Sequence, residues 1–278
     1  MPTTALDKIA NLYFKREDQN TTGSAKDRAV SLQVKSALDQ KYTSAVISSS
    51  GNAAISALHF CRLAHINLTI FLSPKTDPKK IAYLRALQAQ IIFSPKPISF
   101  AFRQAKRNHS YNLRQSLDPK ALEGYRQIGL EIVHQLPQVS SIFIPVGSGT
   151  TLLGLSAALP PQTKIFAVQP ANRCPVASYF DQDFTPENTT LTTSLSIRSL
   201  PLKNKIIAAI KKSHGSALVV QNQDVLDNLP FLSQNQINAS AETALAVAGF
   251  RKAQKQNMDF GQYPLILVTG INRPKVPK

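Results

Sequence analysis

Three short segments carry residue types that could do chemistry. They are Thr22-Gly23-Ser24-Ala25-Lys26-Asp27-Arg28, Ser49-Ser50-Gly51-Asn52-Ala53 and Gly147-Ser148-Gly149-Thr150-Thr151. In the last, Gly147 and Gly149 let the main chain approach a ligand closely. A helix expected from about Thr150 to Leu159 adds free N–H groups and the positive end of a dipole. Such a turn can cradle a phosphate. It is not a Walker loop, because no Gly-Lys-Ser/Thr follows, and it is not a strict G-x-G-x-x-G fingerprint. The amides of Ser49, Ser50, Gly51 and Asn52 could hold a carboxylate, and the Asn52 side chain could contact a hydroxyl. A serine N-cap followed by a glycine turn would read the same way. Lys26 opens a helix, where its charge opposes the dipole. Beside two anion-binding loops, that placement suggests an amine kept for Schiff-base chemistry.

Positioning these segments requires strands that end at them and helices that begin there. β-branched runs predict strands at Leu12–Lys15, Ala45–Ser48, Leu68–Leu72, Gln90–Phe93, Ser141–Pro145, Lys164–Val168, Ala217–Val220 and Pro264–Val268. Helical spacing between them unites Val30, Val34, Ala37 and Leu38. It also unites Ala54, Ala57, Leu58 and Cys61, and again Ile128, Ile132 and Leu136. Strand and helix alternate, which predicts an α/β fold with a mostly parallel sheet. Ligands bind beyond the carboxyl ends of such strands, where the three segments lie and where Thr269 ends the final strand. The polar stretch Asp181–Thr193 reads as a surface excursion.

Composition narrows the classes. The chain has 278 residues, 43% hydrophobic and 17% charged, enough for one core or two. No run of about 18 apolar residues predicts a membrane span. The first residues lack a basic segment followed by an apolar one, which argues against a secretory signal. Cys61 and Cys174 are too few for a disulfide framework, and no Cys/His spacing suggests a metal, so a reducing, cytoplasmic setting is expected. Lys and Arg outnumber Asp and Glu by 32 to 16, for a net charge of +16. That excess attracts anions at long range. It is scattered along the chain with no nucleic-acid-binding signature, so no specific nucleic-acid partner is expected.

The motifs also carry a resemblance. Lys15-Arg16-Glu17 followed by Asn20-Thr21-Thr22-Gly23-Ser24-Ala25-Lys26-Asp27-Arg28 resembles the K-x-E … N-P-T-G-S-F-K-D-R block of the fold-type II pyridoxal-phosphate enzymes, the group of the tryptophan synthase β chain. Ser49-Ser50-Gly51-Asn52-Ala53-Ala54 resembles its S-S-G-N-A-A loop, and Pro145-Val146-Gly147-Ser148-Gly149-Thr150-Thr151 its P-V-G-x-G-G-T loop. Val268-Thr269-Gly270 resembles its closing V-T-G. Leu122-Glu123-Gly124 and Ile128-Gly129-Leu130-Glu131-Ile132 make the chain most similar to threonine synthases within the group. The blocks run in family order over nearly the whole chain.

The resemblance implies two doubly wound three-layer α/β domains with pyridoxal 5′-phosphate between them. The smaller, mobile domain would be residues 41–118, and the larger 1–40 with 119–278. Lys26 would form the Schiff base and shuttle protons. Asn52 would bond the cofactor's 3′-oxygen, Gly147, Ser148, Gly149, Thr150 and Thr151 would hold its phosphate, and Thr269 would meet its ring nitrogen. Ser49, Ser50, Gly51 and Asn52 would take the carboxylate of a small amino-acid substrate. A threonine synthase acting on O-phospho-L-homoserine needs a second anion site, for which Lys15, Lys120, Arg114 and Ser148 are candidates. A threonine/serine dehydratase, which needs none, is the alternative. A homodimer, common among relatives, is compatible. Several positions depart from the pattern: Ala25 replaces a phenylalanine, Thr150 a glycine, and Ala121 an arginine. After Thr269 the usual H-G-L-K is replaced by Ile271-Asn272-Arg273-Pro274.

Overall fold

A computed structural model describes residues 1–197 and 200–273. In chain order the elements begin β1 (Leu6–Ile9), β2 (Leu12–Arg16), α1 (Lys26–Asp39), β3 (Ser44–Ile47), α2 (Asn52–Leu63) and β4 (Asn67–Leu72). They continue α3 (Pro78–Ala86), β5 (Gln90–Phe93), α4 (Pro97–Arg107), β6 (Tyr111–Asn112), α5 (Pro119–Gln135), β7 (Ser141–Pro145) and α6 (Thr150–Ser156). The last are β8 (Lys164–Pro170), α7 (Lys203–Lys212), β9 (Ser216–Val220), α8 (Asn222–Gln234), α9 (Ala241–Lys255) and β10 (Pro264–Val268). All eight predicted strands are present, three with the predicted bounds and five with bounds shifted by one or two residues. β1 and β6 were not predicted. No helix of the described residues is long and apolar enough to cross a membrane, and none of their His, Cys, Asp and Glu residues form a metal-binding group.

The chain folds as two compact units. The smaller contains Lys26–Gly124 with Met1 and Arg273; the larger contains Pro2–Ala25 and Tyr125–Asn272. The smaller unit therefore begins at α1 rather than near residue 41. The reason is packing: Val30, Val34 and Ala37 of α1 share one core cluster with Ala54, Ala57, Leu58 and Cys61 of α2 and with Ile47, Ile70 and Leu72 of the sheet. That sheet is four-stranded in the order β5-β4-β3-β6, and every pairing is parallel.

The larger unit is built on a six-stranded sheet in the order β1-β2-β10-β7-β8-β9, parallel except for β1 against β2. Its central strands β7 and β10 are buried at every residue, as expected where helices cover both faces of a parallel sheet. Phe143 of β7 stacks on Phe166 of β8 at 4.5 Å between ring centres and meets Phe250 of α9 edge-on at 5.4 Å. The polar stretch after residue 180 lies largely at the surface, as its composition predicts, and is pinned at its start. Asp181 is buried, and its carboxylate accepts from Val219 N at 2.8 Å and Lys252 Nζ at 2.7 Å.

Both cysteines are free thiols, Cys61 buried in the smaller core and Cys174 partly exposed. Burial pushes the Cys61 thiol up to about 12. Because the folded value is raised, this site is neutral to stability below the ordinary thiol range. It costs stability as pH climbs toward 12, where the unfolded chain ionises first. A thiol reagent at pH 8 is expected to label Cys174 and spare Cys61 in the native protein. Equal labelling of both, read by peptide mass, contradicts this packing.

Candidate active site

Both sheets have a switch point, where consecutive strands depart in opposite directions and leave a crevice at their carboxyl ends. In the larger unit it lies between β7 and β10. Leu265 aligns with Ile142 and Ile266 with Phe143, so β10 and β7 end side by side. Thr269 follows β10, and Gly147–Thr151 follows β7, at the same sheet edge. The segment leading into Lys26 is fastened there as well. Ser24 pairs with Gly270, Ala25 donates its N–H to the Thr269 carbonyl at 3.0 Å, and Ile271 N–H donates to Gly23 O at 3.0 Å. Three of the four expected cofactor-binding segments thus meet at one edge, and Lys26 is the next residue after Ala25. Lys26 and Thr269 are partly buried.

The Gly147–Thr151 turn is shaped by Gly149, which caps α6 with φ +78°. A Cβ there would lie 2.0 Å from Ile206 Cδ1, so both backbone and packing require glycine. At Gly147 the nearest atoms to an added Cβ are at 3.4 Å, an ordinary contact. α6 stops at Ser156 instead of about Leu159. Thr150, in place of the family's glycine, is buried, and its hydroxyl lies 3.1 Å from that of Ser148. One hydroxyl donates to the other, which leaves one O–H to donate to a ligand.

In the smaller unit the switch point lies between β3 and β6, because β3 leads to β4 on one side while β6 lies on the other. Ser49, Ser50, Gly51 and Asn52 follow β3, and Arg114 follows β6. A Cβ at Gly51 would meet nothing within 4 Å, so this turn presents open main chain. Gly51 N–H donates to Ser49 Oγ at 3.3 Å. Asn52 begins α2, and its Oδ1 accepts from Arg273 Nε at 2.8 Å. Arg114 holds Ser116 Oγ at 3.2 Å. Lys120 lies on the exposed first turn of α5, 2.8 Å from Glu123.

Lys15 does not serve as a substrate donor. Its side chain has no exposure, and Nζ donates to Glu131 Oε2 at 2.6 Å, Gln135 Oε1 at 2.9 Å and Thr4 O at 2.9 Å. The neighbouring Glu17 accepts from Thr4 Oγ1 at 2.7 Å and from Asn20 Nδ2 at 2.6 Å. The Lys15–Asn20 block is a buried polar scaffold that anchors the segment leading to Lys26. Glu131→Gln is expected to destabilise the protein by about 3 kcal/mol, because it removes a carboxylate bonded to the buried Lys15 ammonium. An unchanged denaturant midpoint contradicts that assignment. Arg273, the partner of Asn52, has one signal in the sequence, the departure from H-G-L-K.

A family profile described as pyridoxal-phosphate dependent enzyme matches residues 2–270. Threonine synthase of Methanosarcina acetivorans is 27% identical over 268 residues, covering 88% of this chain and 65% of the relative. Human serine racemase is 33% identical over 175 residues, covering 58% of this chain and 51% of the relative. The chain thus spans less than two thirds of the length of either. Among solved structures, maize serine racemase superposes with a TM-score of 0.83 at 19% identity, covering 98% of this chain and 89% of that one. Tomato (Solanum lycopersicum) threonine deaminase isoform 2 gives 0.79 at 20%, covering 95% and 75%. At these identities the superpositions establish the α/β fold.

Proposed function

Because this chain belongs to the family of pyridoxal-phosphate dependent enzymes, we propose that it is a carbon–oxygen lyase that eliminates the hydroxyl of a small amino acid such as L-threonine or L-serine. The observation that carries this reading is the meeting of Ser24–Ala25, Thr269 and Gly147–Thr151 at one switch-point edge. The residues present fit the cofactor: the open turn at Gly51, the spare hydroxyl of the Ser148–Thr150 pair and the glycines of the β7 turn all suit a phosphorylated, acceptor-bearing ring.

When bound, pyridoxal phosphate supplies an electron-withdrawing ring conjugated to the substrate's amine, which weakens the bonds at Cα. Lys26 supplies the amine that holds the cofactor covalently, then takes the Cα proton and returns one to the departing oxygen. Gly147–Thr151 holds the phosphate through main-chain N–H groups and a hydroxyl. Thr269 offers the ring nitrogen a neutral hydroxyl, which favours elimination and replacement over transamination. Ser49–Asn52 binds the substrate carboxylate, and the Asn52 amide donates to the 3′-oxygen. Gly147→Ala is expected to fold normally, given the 3.4 Å clearance, while weakening cofactor binding. Unchanged cofactor affinity removes this turn from the site.

A threonine synthase-like conversion of O-phospho-L-homoserine to L-threonine and phosphate is the second reading. It is favoured by the Leu122-Glu123-Gly124 block and by Arg114 at the β6 end. It is disfavoured by the loss of Lys15 to Glu131 and the pairing of Lys120 with Glu123, which leaves fewer donors for a second anion. The protein reconstituted with pyridoxal phosphate is offered each substrate separately. The lyase reading expects 2-oxobutanoate and ammonia from L-threonine. Phosphate and L-threonine from O-phospho-L-homoserine, with no oxo acid from L-threonine, overturn it.

A further inference from the structure

We propose that Arg273 is a positioning residue for the cofactor site, acting through Asn52; the inference rests on the reading above. Arg273 Nε donates to Asn52 Oδ1 at 2.8 Å. A guanidinium has donors and no acceptor, so the atom facing it must be the amide oxygen. The amide's NH₂ is therefore turned away from Arg273. Left alone, an asparagine amide can flip and offer a ligand either a donor or an acceptor. Here the flip is blocked, and Asn52 offers only a donor. That suits a ligand atom that accepts, such as an oxygen anion on an aromatic ring, and disfavours one that must donate.

Two further features support the assignment. The guanidinium is itself held, its carbon 5.9 Å from the centre of the Tyr83 ring of α3, within cation–π range. The chain leading to it is also fixed: Gly270–Asn272 is bonded on one side to Gly23–Ser24 and on the other to Asn238–Ser240, with Asn272 N–H donating to Asn238 O at 3.1 Å. A cationic partner also polarises the amide, so its N–H donates more strongly.

The test is a double-mutant cycle on cofactor affinity, measured by absorbance titration of pyridoxal phosphate into wild type, Arg273→Ala, Asn52→Ala and the double variant. Arg273→Ala is expected to weaken binding about tenfold, the contribution of one charge-assisted hydrogen bond. In the Asn52→Ala background its effect is expected to fall below about twofold. Arg273→Lys, which keeps a cationic donor, is expected to recover part of the loss. An equal loss in both backgrounds overturns the proposal, because Arg273 would then act without Asn52. So does a variant that raises only the substrate KM and leaves cofactor affinity intact, which would make Arg273 a substrate contact. If wild type itself binds no pyridoxal phosphate, the failure belongs to the proposed function; if wild type binds and Arg273→Ala binds equally well, it belongs to Arg273 alone.

Discussion

Lys26→Ala is expected to lower turnover by at least about 10²–10⁴-fold, the contribution of a positioned proton-transfer group, and to remove covalent attachment of the cofactor. The protein should remain folded. Lys26 is the first residue of α1 and only partly buried, and alanine is the best helix former. Noncovalent cofactor binding should persist in the variant, because the Gly147–Thr151 turn and Asn52 are untouched. A steady-state assay with L-threonine, alongside a binding titration, separates the two effects. Wild-type turnover in Lys26→Ala would contradict the assigned chemistry.

The second large effect is on stability and lies in the Leu122-Glu123-Gly124 block. A Cβ on Gly124 would lie 2.1 Å from Arg28 O, 2.6 Å from Arg28 C and 2.8 Å from Ala29 Cα. These are main-chain atoms of α1, fixed by the helix, so no side chain can swing aside. The first turns of α5 and the start of α1 can approach this closely only through a glycine. Gly124→Ala is expected to cost about 3 kcal/mol, the upper end of overpacking, and to lower Tm by roughly 6–12 °C. The displaced α1 begins at Lys26, so turnover per folded molecule should fall as well. An unchanged melting curve would show that the two helices separate freely at this point.

The fold was legible where burial is strongest. Ser141–Pro145 and Pro264–Val268 are buried at every residue, and a strand covered on both faces reads as a continuous apolar run. β1, an edge strand whose residues are all at least partly exposed, and the two-residue β6 give no such run. That α1 belongs with the smaller unit is not visible in the sequence, because α1 looks the same whichever core it joins. Only its packing beside α2 shows that it belongs there. The candidate segments could be singled out because glycine, serine and lysine gather at the ends of strands that the sequence also predicts.

What escaped the sequence were partnerships over long separations. Lys15 has the residue type of a phosphate donor, yet its ammonium is held by Glu131 and Gln135, far along the chain. No local pattern announces that pairing. Arg273 lies 221 residues from Asn52, and only the fold brings the two together. Thr150 departs from the family's glycine, and only the fold shows its hydroxyl beside that of Ser148.

The most direct test is to reconstitute the chain with pyridoxal phosphate, reduce it with borohydride, and map the modified lysine by peptide mass. The account predicts that the fixed cofactor sits on the peptide containing Lys26 and on no other lysine. A cofactor fixed elsewhere, or none fixed at all, would contradict it.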